Sequence, residues 1–427
     1  IQNVLLKSFD GDTLVVLTAL VNAMILLPFV FLFSPAGFIN DKYSHTKVIR
    51  YAVVVGVFIS FAIFLSYLAG AFEIAFILTL ILSAQSAVYS PAKYGIIKSI
   101  VGTEHLGAAN GMIQALTIVA ILFSSFAFSY IFEVIYVASD NPSDILSSIY
   151  FIGFLIVIFS ALEVIFSFKL PFFSAAESEE KTQFSAKKYF SLSYLKENVK
   201  LVRSDKNIWL SIIGLSIFWG VSQVIVAAFP AHYKMLFNDD NALVIQMILA
   251  ISGIGLIFGS YIAGAMSKYH IELGIVPFGA LGMCLSLFFL ASSGSVAIIG
   301  FCSFCFGLFG GLLIVPLNAT IQFFAPEASM GKILAGNNFV QNIAMIGFLS
   351  LSIAFVYANI STTGLFIFVA VVCFIGSLYA ILQVPHLFTR LFLLVFLKTG
   401  YRFHVEGLKN LPQSESTSPL FREGKRL

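Results

Sequence analysis

Amides stand in this chain where polar side chains are costly. Asn110 and Gln114 are four residues apart, so on a helix they share one face, and Asn337 and Gln341 repeat that spacing. Gln85, Gln223, Asn318, Gln322, Asn338 and Asn342 also fall in or beside apolar stretches, together with Lys93, Tyr94 and Trp219. Such amides either line a cavity and hydrogen-bond a polar solute there, or bridge neighbouring helices. Lys93 supplies a cation for an anionic group in the first reading and a topology charge in the second; Trp219 serves a cavity or plain packing. Nothing else in the chain points to covalent chemistry. Cys302 and Cys305 form a C-x-x-C inside an apolar run, and with four Cys in all and no second pair nearby, metal or redox use is not expected. Gly253, Gly255 and Gly259 mimic a nucleotide loop, but no strand precedes them, so close helix approach is the better reading. No nucleic-acid patch is present, and no catalytic residue, metal or cofactor is expected.

The segments that carry these residues are built for lipid. Of 427 residues, 59% are hydrophobic and only 11% charged, with mean hydropathy +0.97. Soluble domains carry about 25% charged residues. A helix crosses a bilayer with about 20 apolar residues. That ruler yields spans at roughly 13–35, 48–69, 72–92, 108–134, 147–169, 208–231, 242–267, 273–292, 295–324, 333–358 and 362–384. The expected fold class is an all-α polytopic membrane protein. With the 36–47 loop placed inside and sides alternating, only Lys7 and Lys234 of the 24 Lys and Arg fall outside. This is the positive-inside pattern, and it puts the C-terminus in the cytoplasm.

The chain is also duplicated. The differences 337 − 110, 341 − 114 and 264 − 37 all give 227, the last relating Gly264 to Gly37, and Pro91 and Pro316 are separated by a similar interval. Eleven spans fit a duplication poorly, and the chain opens without Met in a polar run. The expectation is therefore a further helix ahead of residue 1, giving two pseudo-symmetric six-helix bundles; an eleven-helix protein is the alternative. The domains expected are an N-terminal bundle over 1–169 (spans 2–6 of the full fold), a cytoplasmic linker with an amphipathic helix over 170–207, a C-terminal bundle over 208–384 (spans 7–12), and over 385–427 a membrane-surface helix followed by the start of a further domain or a plain tail. The linker carries Lys187, Lys188, Lys196, Lys200 and Arg203, charges that could meet anionic headgroups or water.

The run GFINDKYSHTKVIR, with Gly37, Asp41, Lys42, Lys47 and Arg50, resembles the loop signature of the major facilitator superfamily. The resemblance implies that the Gly permits close helix approach, that the Asp is a helix-end charge, and that the basic residues pair across the cytoplasmic face as a gate. Ser44 stands where that family usually has a second Gly, and the copy from Gly264 to Lys268 lacks the acid. YSPAKYGII, ANGMIQALTIVAIL, SIFWG, GGLLIVPLNA and AGNNFVQN are together similar to the bacterial lysophospholipid transporter branch. That branch implies movement of lysophospholipids such as lysophosphatidylethanolamine from the outer to the inner leaflet of the bacterial inner membrane for re-acylation. Gln85, Lys93, Tyr94, Asn110, Gln114, Trp219, Gln223, Asn318, Gln322, Asn338, Gln341 and Asn342 would then line a cleft between the halves. The branch's first-helix signature is not found here, and Val226 stands where a basic residue is frequent. Tyr401 to Pro412 resembles the opening of a glycerolipid acyltransferase, though His404 lacks the acid four residues on, so a fused or associated acyltransferase is an expected partner. The protein is expected to act as a monomer.

Coupling is thinly written. Glu73, Glu133 and Glu163 are the acids within spans, each towards an end. Two other classes stay open: a proton-coupled carrier of a small amphipathic solute, and a membrane anchor that only docks an enzyme.

Overall fold

The computed structural model describes residues 4, 25–139, 141–173, 184–237, 242–268, 270–383 and 385–400. Among these the chain is helical and contains no strand. The expectations for residues 1–12, for the first half of the 13–35 span, and for the run from Tyr401 lie outside them.

The first described helices, α1 (Ile25–Phe31) and α2 (Phe33–Lys42), are bent against each other by 64°. Pro35 explains the break. It has no N–H to give the carbonyl four residues back, so the Phe31 oxygen loses its helical donor. The Tyr189 hydroxyl, from the linker, donates to that oxygen at 2.6 Å instead. Because Pro35 sits in the first turn of α2, where N–H groups need no helical acceptor, the helix runs on to Lys42. The 36–47 loop expected from sequence is thus mostly helix. Gly37 and Asp41 lie on α2, and only Tyr43 and Ser44 separate it from α3 (His45–Leu68), whose Lys47 N–H the Ser44 side chain caps.

A further boundary moves outward. Helix α4 (Phe72–Val101) passes Pro91 and ends at Gly102, whose φ of 69° a side chain would resist. The expected loop from 93 therefore begins only at 102, and Lys93 and Tyr94 are helical. Then come α5 (Leu106–Ile135), the short α6 (Pro142–Ser148), α7 (Tyr150–Phe168), and the linker helices α8 (Ala186–Phe190) and α9 (Ser193–Ser204). The remainder is α10 (Lys206–Phe237), α11 (Ala242–Met266), α12 (Ile275–Ser292), α13 (Val296–Phe324), a 3₁₀ turn (Glu327–Ser329), α14 (Met330–Tyr357), α15 (Thr362–Gln383) and α16 (Pro385–Gly400). Ten of these helices are long and apolar enough to span a bilayer, eleven if the bent α1–α2 pair is one span. Helices such as α4, with 30 residues, reach about 45 Å at 1.5 Å per residue and project beyond the hydrocarbon.

Packing follows the duplication. Helix α3 packs on α4 and α7; in the second half α13 packs on α11 and α12, α10 on α14, and α12 on α15. Two crossings carry most of the joint between the halves, α5 with α11 and α2 with α14, and α5 also meets α13 while α4 meets α13 and α14. The repeated glycines lie in these two crossings: a Cβ on Gly37 would meet the Lys332 backbone on α14, and one on Gly264 would meet Gly111 on α5. The nucleotide-like glycines also serve packing, since a Cβ on Gly259 would sit 1.9 Å from the Leu308 carbonyl oxygen. Cys302 and Cys305 are free thiols on α13.

Large apolar side chains such as Phe58, Phe123, Phe126 and Phe301 face outward, as lipid requires and water would not allow. At one end of the bundle, cations sit over rings: Lys42 over Phe38 and Tyr43, Lys47 over Phe172, Arg50 over Phe168, Lys169 over Phe166 and Arg203 over Trp209. This basic, aromatic belt marks a membrane–water boundary. Among the described residues Lys234 is the one Lys or Arg at the other end. Helix α16 leaves the last span and folds back against α12: Arg390 pairs with the buried Glu272, and the Phe388 ring packs tilted against Phe278 at 4.8 Å.

Candidate functional site

A polar seam joins the two halves at the basic end. Outermost, Asp41 at the end of α2 receives the Gly331 and Lys332 N–H groups at the start of α14, at 2.7 and 3.2 Å, with the Lys332 ammonium 4.0 Å from its second oxygen. A carboxylate suits a helix N-terminus because free N–H groups and the helix dipole both favour it. Lys98 mirrors this: its ammonium donates to the Phe323 and Ala325 carbonyls at the end of α13, at 3.3 and 3.1 Å. His105 at the start of α5 contacts the Lys268 carbonyl after α11, at 2.9 Å.

One turn further in, the seam is made of amides. The Asn110 side-chain N–H donates to the Gln322 carbonyl oxygen at 2.8 Å, and Gln322 donates back to Asn110 at 3.0 Å. Both side chains are buried, so this reciprocal pair meets needs that lipid could not. Beside it Asn338 on α14 donates to the Ser90 hydroxyl on α4 at 3.0 Å. Ile97, Leu106 and Ala319, with Tyr94 and Phe323 against them, form a small apolar cluster across the same seam.

The other expected residues divide. Gln85 donates to the Ala52 carbonyl at 2.9 Å and so bridges α4 to α3 within one half. Asn318, Gln341 and Asn342 bond along their own helices, to Ile314 O, Asn337 Oδ1 and Asn338 O respectively. Trp219 packs edge-on against Phe218 at 5.1 Å in the second-half core. Lys93 lies half-buried with its ammonium 5.7 Å from the Tyr94 ring, and Glu163 of α7 is in electrostatic range of Lys93 and Tyr89. Among the described residues Gln114 and Gln223 have no hydrogen-bond partner, and Lys93 has its ring contact and the charge of Glu163 but no hydrogen bond. These three keep binding capacity in hand.

The basic members of the loop signature work differently from the expected cross-face pairing. Arg50 donates to the Ser167, Phe168 and Leu170 carbonyls at 3.4, 3.2 and 2.9 Å, closing the end of α7 within the first half. Lys42 and Lys47 sit over the rings named above. Among the described residues Asp41 is the charged member of that set that reaches the second half, beside Gly37 in the same crossing. Sequence reasoning did not single out Ser90, Lys98, His105 or Asn198. Asn337 carried a signal, its 227-residue offset from Asn110; Lys98 was hidden by assignment of its stretch to a loop.

Two helical halves, joined at one end by a polar seam and clad in apolar side chains, are the arrangement of a membrane carrier. The Major Facilitator Superfamily profile matches residues 10–349. The lysophospholipid transporter LplT of Yersinia pestis (strain Pestoides F) is 29% identical over 297 residues, 66% of this chain and 67% of that protein. LplT of Yersinia pseudotuberculosis serotype O:3 (strain YPIII) gives the same figures. Among solved structures, the E. coli fucose:proton symporter FucP aligns with a TM-score of 0.67 at 12% identity, over 88% of this chain and 93% of that one. A bacterial homologue of the iron transporter ferroportin, in an outward-facing state, aligns at 0.59 with 16% identity, over 91% and 93%. At those identities the likeness is one of fold. The chain belongs to the major facilitator superfamily, and it is a multi-pass membrane transporter.

Proposed function

We propose that the protein carries lysophospholipids, lysophosphatidylethanolamine among them, from the outer to the inner leaflet of a bacterial inner membrane by alternating access between its halves. Residues 1–169 and 208–384 are the two moving bundles in this reading, 170–207 the cytoplasmic linker, and 385–427 a cytoplasmic tail. The basic end is then the cytoplasmic gate, closed here, and transport requires the Asp41, Lys98 and Asn110–Gln322 contacts to part. What supports the reading most is that seam: its amides bridge halves that must separate, and neutral partners are easier to exchange for a polar headgroup than fixed ion pairs. The relatives named as lysophospholipid transporters supply the substrate class. Gln114, Gln223 and Lys93 are assigned the headgroup, Lys93 matching the phosphate. An acyltransferase acting on the delivered lipid is the natural downstream partner.

The test is reconstitution in liposomes with labelled lysophosphatidylethanolamine and a diacyl control. The lyso-lipid alone should move inward, and Gln114→Leu with Gln223→Leu should slow it about tenfold, near 1.4 kcal/mol of barrier. No movement with or without proton and sodium gradients overturns the assignment. Movement of both lipids at one rate would mean a nonspecific scramblase.

A further inference from the structure

The linker forms an elbow, α8 to α9, whose two faces differ. Its inner face is seated on both halves. Besides the Tyr189 bond to Phe31, Asn198 donates to the Ser34 hydroxyl of α2 at 3.5 Å, and Val202 is buried against Gly336 of α14. Phe38 and Tyr194 close around Phe184 at ring distances of 5.5 and 5.1 Å. The elbow is thus a strap across the α2–α14 crossing, the same crossing that Asp41 latches.

The outer face carries a different chemistry. Phe190 is 81% exposed and Leu192 56%. Leu192 has φ 58°, a left-handed conformation that side chains other than Gly, Asn and Asp rarely adopt. An apolar tip held in a disfavoured backbone and offered to water has no benefit to set against that cost. Among the described residues of the two helices, exposed Lys187, Lys188, Lys196, Lys200 and Arg203 stand against one acid, Glu197. The level of the elbow supplies the missing partner. It is tied to Phe31, within a spanning pair, and α9 ends two residues before α10 enters the membrane. The cation–ring belt lies at the same end.

We propose that the α8–α9 elbow is a binding site for anionic lipid headgroups, with Phe190 and Leu192 entering the interface between them. An acidic soluble partner would need the lysines but not the apolar tip. A zwitterionic surface would accept the tip but leave the lysines uncompensated; an anionic membrane satisfies both. Because the same elbow straps the two halves, occupancy by lipid holds the basic end closed, which makes the surrounding bilayer a regulator of this carrier.

The experiment places the full chain in nanodiscs of phosphatidylcholine with or without phosphatidylglycerol, with Phe190→Trp as reporter and wild type, which has two Trp, as background. Bromine-labelled phosphatidylglycerol chains should quench the reporter at least about twice as strongly as bromine-labelled phosphatidylcholine, and amide exchange over α9 should slow in the anionic discs. Lys187→Gln, Lys188→Gln and Lys196→Gln together should remove both differences. These lysines are exposed, so the variant is expected to keep its fold, which far-ultraviolet circular dichroism and thermal unfolding verify. Equal quenching by the two lipids, quenching by neither, or a preference that survives the triple substitution overturns the proposal.

Discussion

An amide pair in a lipid-surrounded seam contributes little when whole and costs much when halved. Asn110 and Gln322 exchange two hydrogen bonds, each buried. Asn110→Leu leaves a buried Gln amide unsatisfied and should cost about 1–3 kcal/mol. Adding Gln322→Leu should recover most of that, since both needs vanish together. The cycle, read by thermal unfolding in detergent, should return a coupling at least as large as either single effect, about 1 kcal/mol or more. Additive single effects would mean the pair does not act as a unit. Both residues were visible in the sequence as polar groups in apolar runs. Their partnership was not, because they are 212 residues apart and nothing local announces which amide will face which. Arg50 teaches the converse. Its place in a recognisable signature suggested a gate, but three carbonyls at the end of α7 lay within reach, and a guanidinium satisfies helix ends readily.

At the level of elements, helix existence was legible because a bilayer imposes both length and composition. Boundaries were not, because proline reads as a stop and α2, α4 and α10 carry Pro35, Pro91 and Pro230 inside them. A membrane helix tolerates proline when something else satisfies the freed carbonyl. At Pro35 that something is Tyr189. Tyr189→Phe should therefore cost about 1 kcal/mol alone. In a Pro35→Ala background, where the substituted residue supplies the missing N–H, the same change should cost almost nothing. Thermal unfolding of the four proteins decides it, and equal effects in both backgrounds would show that the hydroxyl does not serve the kink.

At the level of the molecule, the duplication explains why two crossings, α2 with α14 and α5 with α11, close the same end: each is the other's image under the repeat. In the proposed transport cycle, opening this end must break both. With Cys284, Cys302, Cys305 and Cys373 replaced, Ser90→Cys and Asn338→Cys joined by a short reducible linker should abolish transport, and reduction should restore it, as the liposome assay would record. Transport that persists across the linked pair would mean the seam need not part. The kink has a further consequence, in time instead of space. The Phe31 carbonyl and the Tyr189 hydroxyl are 158 residues apart in the chain. At about 5–20 residues per second of synthesis, the carbonyl waits roughly 8–30 s for its donor. Through that interval the nascent α1–α2 pair must borrow another donor, from water, lipid or the insertion machinery, so the ribosome's pace sets when this corner of the bundle can first become native.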